Sequence, residues 1–317
     1  MPDLTPSGQS ILRSARGSSH FLRETLGRYY ATLCGDLIIL LTVTMVAFIT
    51  VKGLAAFTGP HPLSPLKFLF SSHWQPDADP GEGGPQFGTL AFILGSVSVS
   101  GLAVLLAAPL AVAASILISV IAPRAGENFF RPVLELFTGI PSVVYGWVGL
   151  SLLVPFIRNQ FGGLGFSLLA GGLVLALMIL PTITTLATDA LQNLPDSLLE
   201  GSYALGATRW QTIHRILLPA ARPRILIGVT LGMTRAFGEA LAVQMVIGNS
   251  VRLPDSLLNP MSTITSVITM DMGNTVKGSA WNNALWSMSL LLLAITFGFI
   301  VIIKRLGPQD TKNGNHF

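Results

Sequence analysis

The chain is predicted to be all-α: a polytopic bundle of about six membrane-spanning helices with a helical hairpin on one water-facing side. Three observations predict it. Half of its 317 residues are hydrophobic and only 11 % are charged, against about 25 % charge in a soluble domain, so the polar surface cannot cover the apolar one. The apolar residues are grouped in bands of about 20, enough for a helix to cross some 30 Å of hydrocarbon. Between the fourth and fifth bands lies a polar stretch with its own helix punctuation, EGSYALGATRWQTIHRILLPAA at residues 200–221.

Taken in order, the bands fall at residues 36–57, 88–121, 129–157, 168–187, 225–248 and 283–303. The first begins too far into the chain, and is too long, for a cleavable leader and lacks a suitable small-residue cleavage site, so it reads as an uncleaved anchor. The second has length to spare for tilting. The third is interrupted by Pro132, Pro141 and Pro155. The chain then divides into a tail at 1–35, a membrane domain at 36–305 with its hairpin at about 190–222, and a tail at 306–317. The 58–87 loop is rich in Pro, Gly and acids (HWQPDADPGEGGP) and is expected to be irregular. The 249–282 segment contains SLLNPMSTITSVITM, too apolar for a linker; it reads as a short helix at the outer surface or dipping into it.

Lys and Arg set the orientation. Arg13, Arg16, Arg23 and Arg28 precede the first band, Arg124 and Arg131 flank the second connection, Arg209, Arg215, Arg222 and Arg224 the fourth, and Lys304, Arg305 and Lys312 the tail. The other side holds only Lys52, Lys67, Arg158, Arg252 and Lys277. Both termini and the hairpin are therefore expected in the cytoplasm. The net charge of +4 reflects these flanks and implies no nucleic acid. The single Cys34 excludes an intramolecular disulfide.

Several chemistries are excluded. No lysine follows a glycine, so the chain has no phosphate-binding loop for ATP. His20, His61, His73, His214 and His316 all lie outside the bands, there is no His-Glu-x-x-His run, and no metal, cofactor or catalytic residue is expected. The chain does not read as an enzyme.

The hairpin spans residues 196–219. Ser197 and Glu200 have capping-box spacing, as do Thr208 and Gln211. Gly206 supplies a left-handed turn between two short helices, Pro195 stops anything earlier, and Pro219 ends the second helix. Leu198, Leu199, Tyr203, Trp210, Ile213 and Leu217 are its apolar contacts. It reads either as an ordinary helical loop or as a docking element for a cytoplasmic partner. A helix-turn-helix DNA reader needs a second helix free to enter a groove, and this one is tied to the membrane.

Glu200, Gly206, Ile216, Leu218 and Pro219 stand at the spacing of the EAA motif of ABC-importer permeases, with Gly201 and Ser202 in place of the two alanines. ELFTGIPSVVYGWVGL at 135–150 and RAFGEALAVQMVIGN at 235–249 resemble the PstC-type permease of the phosphate ABC importer. The likeness extends over about residues 88–305. It implies that the hairpin forms coupling helices seated in a cleft of an ATPase. It also implies partners: a PstA-like permease, two copies of the ATP-binding subunit and an external phosphate-binding protein.

The midplane charges point the same way without the resemblance. At about 1.5 Å per residue from Arg224, Arg235 lies about 17 Å and Glu239 about 22 Å into the fifth band, where a charge is a functional hypothesis by default. Their i,i+4 spacing puts them on one helix face, and Gly228, Gly232 and Gly238 allow close helix approach. Guanidinium suits phosphate oxygens, so Arg235 reads as a pathway contact tempered by Glu239, or the two as an ion pair holding the bundle together. Gly139 and Pro141 break the third band beside the hydroxyls of Ser142 and Tyr145, which reads as a pore lining or a packing kink. Asp189, Glu135 and Asn249 read as solvated caps, and Met178, Met233 and Met245 as packing.

The expected function is that of the membrane permease of an ATP-driven importer moving inorganic phosphate across the bacterial cytoplasmic membrane. A permease for another oxyanion such as sulfate, or a gradient-driven secondary transporter, stays open beside it.

Overall fold

The computed structural model describes residues 6–58, 62–79 and 84–306; the expected tail beyond 306 and residues 80–83 of the first loop lie outside them. Residues up to Lys52 form one compact unit and those from Gly53 a second. Helix α1 runs Pro6–Thr58, so the stretch read as a tail at 1–35 is helical from Pro6. Its apolar part, Leu26–Thr58, is long enough to cross a membrane.

In the second unit, helix α2 (Pro65–Phe70) and a two-residue antiparallel pair, β1 (Trp74–Gln75) with β2 (Gln86–Phe87), occupy the loop expected to be irregular. Aromatic packing gives it order: Trp74 meets Phe87 and Phe92 edge-on, with centroids 5.5 and 5.3 Å apart. Such pairs contribute about 0.5–1.5 kcal/mol each.

Helix α3 (Leu90–Ile121), the bent pair α4 (Pro123–Gly139) and α5 (Ser142–Phe161), α6 (Leu168–Gln192), a long helix α8 (Arg209–Gly238) and α11 (Ala280–Leu306) supply the remaining spans. With α1 they make five spanning helices among the described residues, or six if the bent pair counts as one. Between α6 and α8 stands α7 (Asp196–Ala204); after α8 come α9 (Leu241–Ile247) and α10 (Ile264–Asp271). The core lies around α6, which packs along α3 on one side and α8 on the other. Small residues bring these helices close: a Cβ at Gly172 would meet the Leu102 side chain, and one at Gly228 or Gly232 would meet Leu186 or Ile183. Gly238 has nothing within 4 Å and sits at a helix end instead. Met178 and Met245 pack in this core.

Prolines shape the bundle in two ways. Before Pro123, Pro132, Pro155 and Pro219 lies a wide π turn, in which the residue preceding the proline donates its N–H to the carbonyl five residues back. A proline ring clashes with the carbonyl four residues back and offers it no donor; the wider turn moves that carbonyl aside. Hence Pro219 does not end a helix. The helix beginning at Arg209 runs on through it to Gly238, correcting the expected short second hairpin helix and the span start at 225. Pro132 and Pro155 likewise leave their helices continuous, and only at Pro141 is the third span bent, by 91°.

Candidate functional site

The hairpin is built by α7, the Gly206 turn and the first turns of α8. Gly206 adopts φ +78°, the left-handed conformation its position requires. Thr208 closes the expected capping box: its hydroxyl accepts from the Gln211 N–H and the Gln211 side chain accepts from the Thr208 N–H. The box expected at Ser197 and Glu200 does not form, because α7 starts two residues earlier, capped by Pro195 in extended conformation with Asp196 in the first turn.

Ile213 and Leu217 are buried with Ala187, Leu191, Ala221 and Ile225. Trp210 and Tyr203, expected among the packed residues, are 67 % and 45 % exposed, and Leu205 is 90 % exposed. Glu200, Gly206 and Pro219 are exposed beside them, while Ile216 and Leu218 are half-buried. Trp210 stacks on His214. The two alanine replacements have distinct consequences. At Gly201 nothing lies within 4 Å of the missing Cβ, whereas Ser202 forms a buried 2.8 Å hydrogen bond with the Thr212 hydroxyl across the hairpin. Arg209 donates to the carbonyls of Val120 and Ile121, the latter at 2.9 Å. It thereby satisfies the open C-terminal end of α3 with a cation and fastens the hairpin to the bundle.

Inside the membrane the structure separates Arg235 from Glu239. Helix α8 ends at Gly238, and Glu239 takes an extended backbone (φ −74°, ψ 125°) before α9 begins. An i,i+4 pair needs an unbroken helix, and this one is broken between the partners. Arg235, exposed, donates from Nη1 to the Thr182 hydroxyl of α6 at 2.9 Å. Glu239 accepts from the Ala242 N–H through Oε1 at 3.3 Å, capping α9, while its carbonyl accepts from the Thr265 hydroxyl at 2.7 Å. Thr265 belongs to α10, the apolar segment expected at or in the outer surface; it is buried against the bundle, with the Ile264 N–H donating to Ser96 Oγ at 3.0 Å.

The other break lies alongside. Tyr145 Oη donates to the Phe137 carbonyl at 2.7 Å, pinning α5 back onto α4. Ser142 opens α5, half-buried. Gly146 of α5 lies so close to α9 that a Cβ would sit 2.9 Å from the Ala242 Cα. Thr182 and Thr265 escaped the sequence reading; each is an ordinary threonine until a residue far along the chain meets it.

Glu135 pairs with Arg131 at 3.8 Å, both exposed. Asn249 donates to the Gln244 carbonyl at the end of α9, at φ 47°. Among the described residues no cluster of metal-ligand side chains is present.

The fold defines the class: a multi-pass helical membrane protein. A chain of a bacterial alginate ABC transporter, solved with its alginate pentasaccharide-bound periplasmic protein, superposes with a TM-score of 0.63. That match covers 90 % of this chain and 96 % of the other at 14 % identity, and it speaks to fold alone. Residues 107–309 match the family described as binding-protein-dependent transport system inner membrane component, and the chain belongs to that family. It is 52 % identical to the probable ABC transporter permease protein YqgH of Bacillus subtilis, over 91 % of this chain and 92 % of the relative. It is 33 % identical to the phosphate transport system permease protein PstC of Xylella fastidiosa, over 80 % of this chain and 82 % of the relative. Membership makes this chain a transport permease, not a catalytic subunit, and implies an ATPase and a substrate-binding protein as partners.

Proposed function

We propose that this chain is the PstC-type permease of an ATP-driven importer of inorganic phosphate in the bacterial cytoplasmic membrane. The observation that carries the reading is Arg235: an exposed guanidinium on a spanning helix, held by a neutral threonine rather than neutralised by Glu239. A cation so placed is costly unless it meets water or an anion, and its paired N–H donors suit phosphate oxygens. Relatives named as phosphate transport permeases support the substrate.

A PstA-like permease completes the membrane pair, two ATPase copies dock on the cytoplasmic hairpins, and an external phosphate-binding protein delivers the anion. Glu200, Gly206, Ile216, Leu218 and Pro219 form or frame the docking surface, with Leu205, Tyr203 and Trp210 presented to the partner. Both termini lie in the cytoplasm. Closure of the ATPases on ATP moves the hairpin, and the unbroken α8 carries that movement from Arg209 to the break beside Arg235. Ser142 and Tyr145 line the path next to it.

The test is radiolabelled phosphate uptake into proteoliposomes holding the complete complex, with ATP inside and binding protein outside. Uptake that needs both, and that excess sulfate leaves unchanged, is expected. Competition by sulfate overturns the phosphate assignment, and uptake without ATP overturns the ATP-driven mechanism.

A further inference from the structure

Helix α6 is almost entirely covered by its neighbours. Only Leu177, Thr185, Asp189 and Gln192 are exposed along its 25 residues. The last three are polar, and with Thr182 they follow one another at intervals of three, four and three residues, a single face of the helix. That face starts at the Arg235 contact and runs about 15 Å toward the hairpin, at 1.5 Å per residue. It ends in a narrow cleft of about 30 Å³ between α6 and α4, where Glu127, Arg131, Thr185, Thr188, Asp189 and Gln192 stand beside Ile118 and Leu134. Thr188, 9 % exposed, brings into this lining a buried hydroxyl with no hydrogen-bond partner.

Lipid is a poor neighbour for such a face, since polar groups in hydrocarbon cost several kcal/mol if unsatisfied. An unpartnered buried hydroxyl in a cleft it shares with Glu127, Arg131 and Asp189 is instead suited to water or to a passing polar solute. We propose that this face of α6 is the cytoplasmic half of the anion path, leading an oxyanion from Arg235 past Thr185 to the Arg131 cleft. The proposal rests on the phosphate reading above and extends it to named residues. The hydroxyls suit a protonated oxyanion. Thr185 Oγ1 already donates to the Pro181 carbonyl at 3.0 Å, so toward the path it accepts, and a hydrogen phosphate supplies the donor. At the mouth Glu127 and Asp189 stand beside Arg131, itself paired with Glu135. The anion therefore meets no unopposed cation there and is released.

The test uses the complete complex in proteoliposomes, with Cys34→Ser as background. Thr185→Cys and, as a control on the same helix, the exposed apolar position Leu177→Cys are treated with a membrane-impermeant anionic thiosulfonate from the cytoplasmic side. Modification at 185 but not at 177, with loss of uptake, is expected; phosphate but not sulfate is expected to slow it. Thr185→Val is expected to lower uptake about fivefold, roughly the worth of one hydrogen bond, with Thr185→Ser restoring it and binding-protein-stimulated ATP hydrolysis unchanged in both. No modification at 185, or modification without loss of uptake, overturns the path. Wild-type uptake by Thr185→Val overturns it too, even if the cysteine variant fails to assemble. Protection by sulfate as well as phosphate, with the position otherwise behaving as expected, keeps the path and overturns the phosphate assignment.

Discussion

Two helix breaks shape this bundle, each immediately after a glycine, and they form for different reasons. Between α4 and α5 the break follows Gly139 and contains Pro141, which cannot continue the hydrogen-bond ladder and biases its predecessor toward extended backbone. Between α8 and α9 it follows Gly238 and contains Glu239 and Ala240, neither of which breaks helices. The first break is written into the local chain. The second is held by a contact from elsewhere, the Thr265 hydroxyl on the Glu239 carbonyl, with the Glu239 carboxylate then capping the start of α9. Placing an acid at a break set by a tertiary contact leaves Arg235 free of it.

Substitution at the point where α5 meets α9 has the largest expected effect. Gly146→Leu drives a side chain into the α9 backbone at Ala242 and is expected to cost more than the about 1–3 kcal/mol of ordinary overpacking, seen as loss of a monodisperse complex in detergent. Next, Thr265→Val removes the only hydroxyl reaching Glu239 among the hydrogen bonds described. It is expected to cost about 1–3 kcal/mol for the carbonyl left unpaired, and to lower phosphate uptake because Glu239 is no longer held off the α8 axis. Pro141→Ala acts mainly on the unfolded chain and is expected to cost about 0.4–1 kcal/mol. A larger loss of thermal stability for Pro141→Ala than for Thr265→Val would reverse the comparison.

Gly201→Ala probes a third region whose conformation is local. With open space around the missing Cβ on an exposed helix face, it is expected to stabilise α7 by about 0.5–1 kcal/mol. The smallest effect concerns Asp271, at the end of the helix that supplies Thr265. Burial pushes its carboxyl above the ordinary aspartate value, the Trp281 indole opposes this and Asp77 adds to it. The fold thus favours the neutral acid, so this contribution is present below the ordinary aspartate range and is lost as pH rises through the raised value. Asp271→Asn is expected to raise the melting temperature at neutral pH and to give no advantage in acid.

These contrasts explain what the sequence disclosed. The spans follow from apolar length, and the hairpin from Gly206, Thr208 and Gln211, because each signal acts within a turn or two of chain. Pro219 misled because its effect depends on the turn before it, which widened rather than ended. Ser197 misled because Asp196 and Pro195 offered an earlier start. The Arg235–Glu239 pair failed because the residues that part them lie 53 and 26 positions away, at Thr182 and Thr265. The exposed face of α6 was illegible for the same reason: its threonines become a line only when α3 and α8 cover every other side.

On the proposed function, the hairpin and the helix α8 that leaves it join two separable functions, ATPase docking at Glu200 and anion contact at Arg235. The most direct test measures phosphate uptake and ATP hydrolysis together, in the same proteoliposomes, for wild type, Glu200→Ala and Arg235→Gln. Glu200→Ala is expected to lose binding-protein-stimulated hydrolysis and uptake alike, while Arg235→Gln is expected to hydrolyse ATP on stimulation but carry little phosphate. Wild-type uptake by both variants would contradict it.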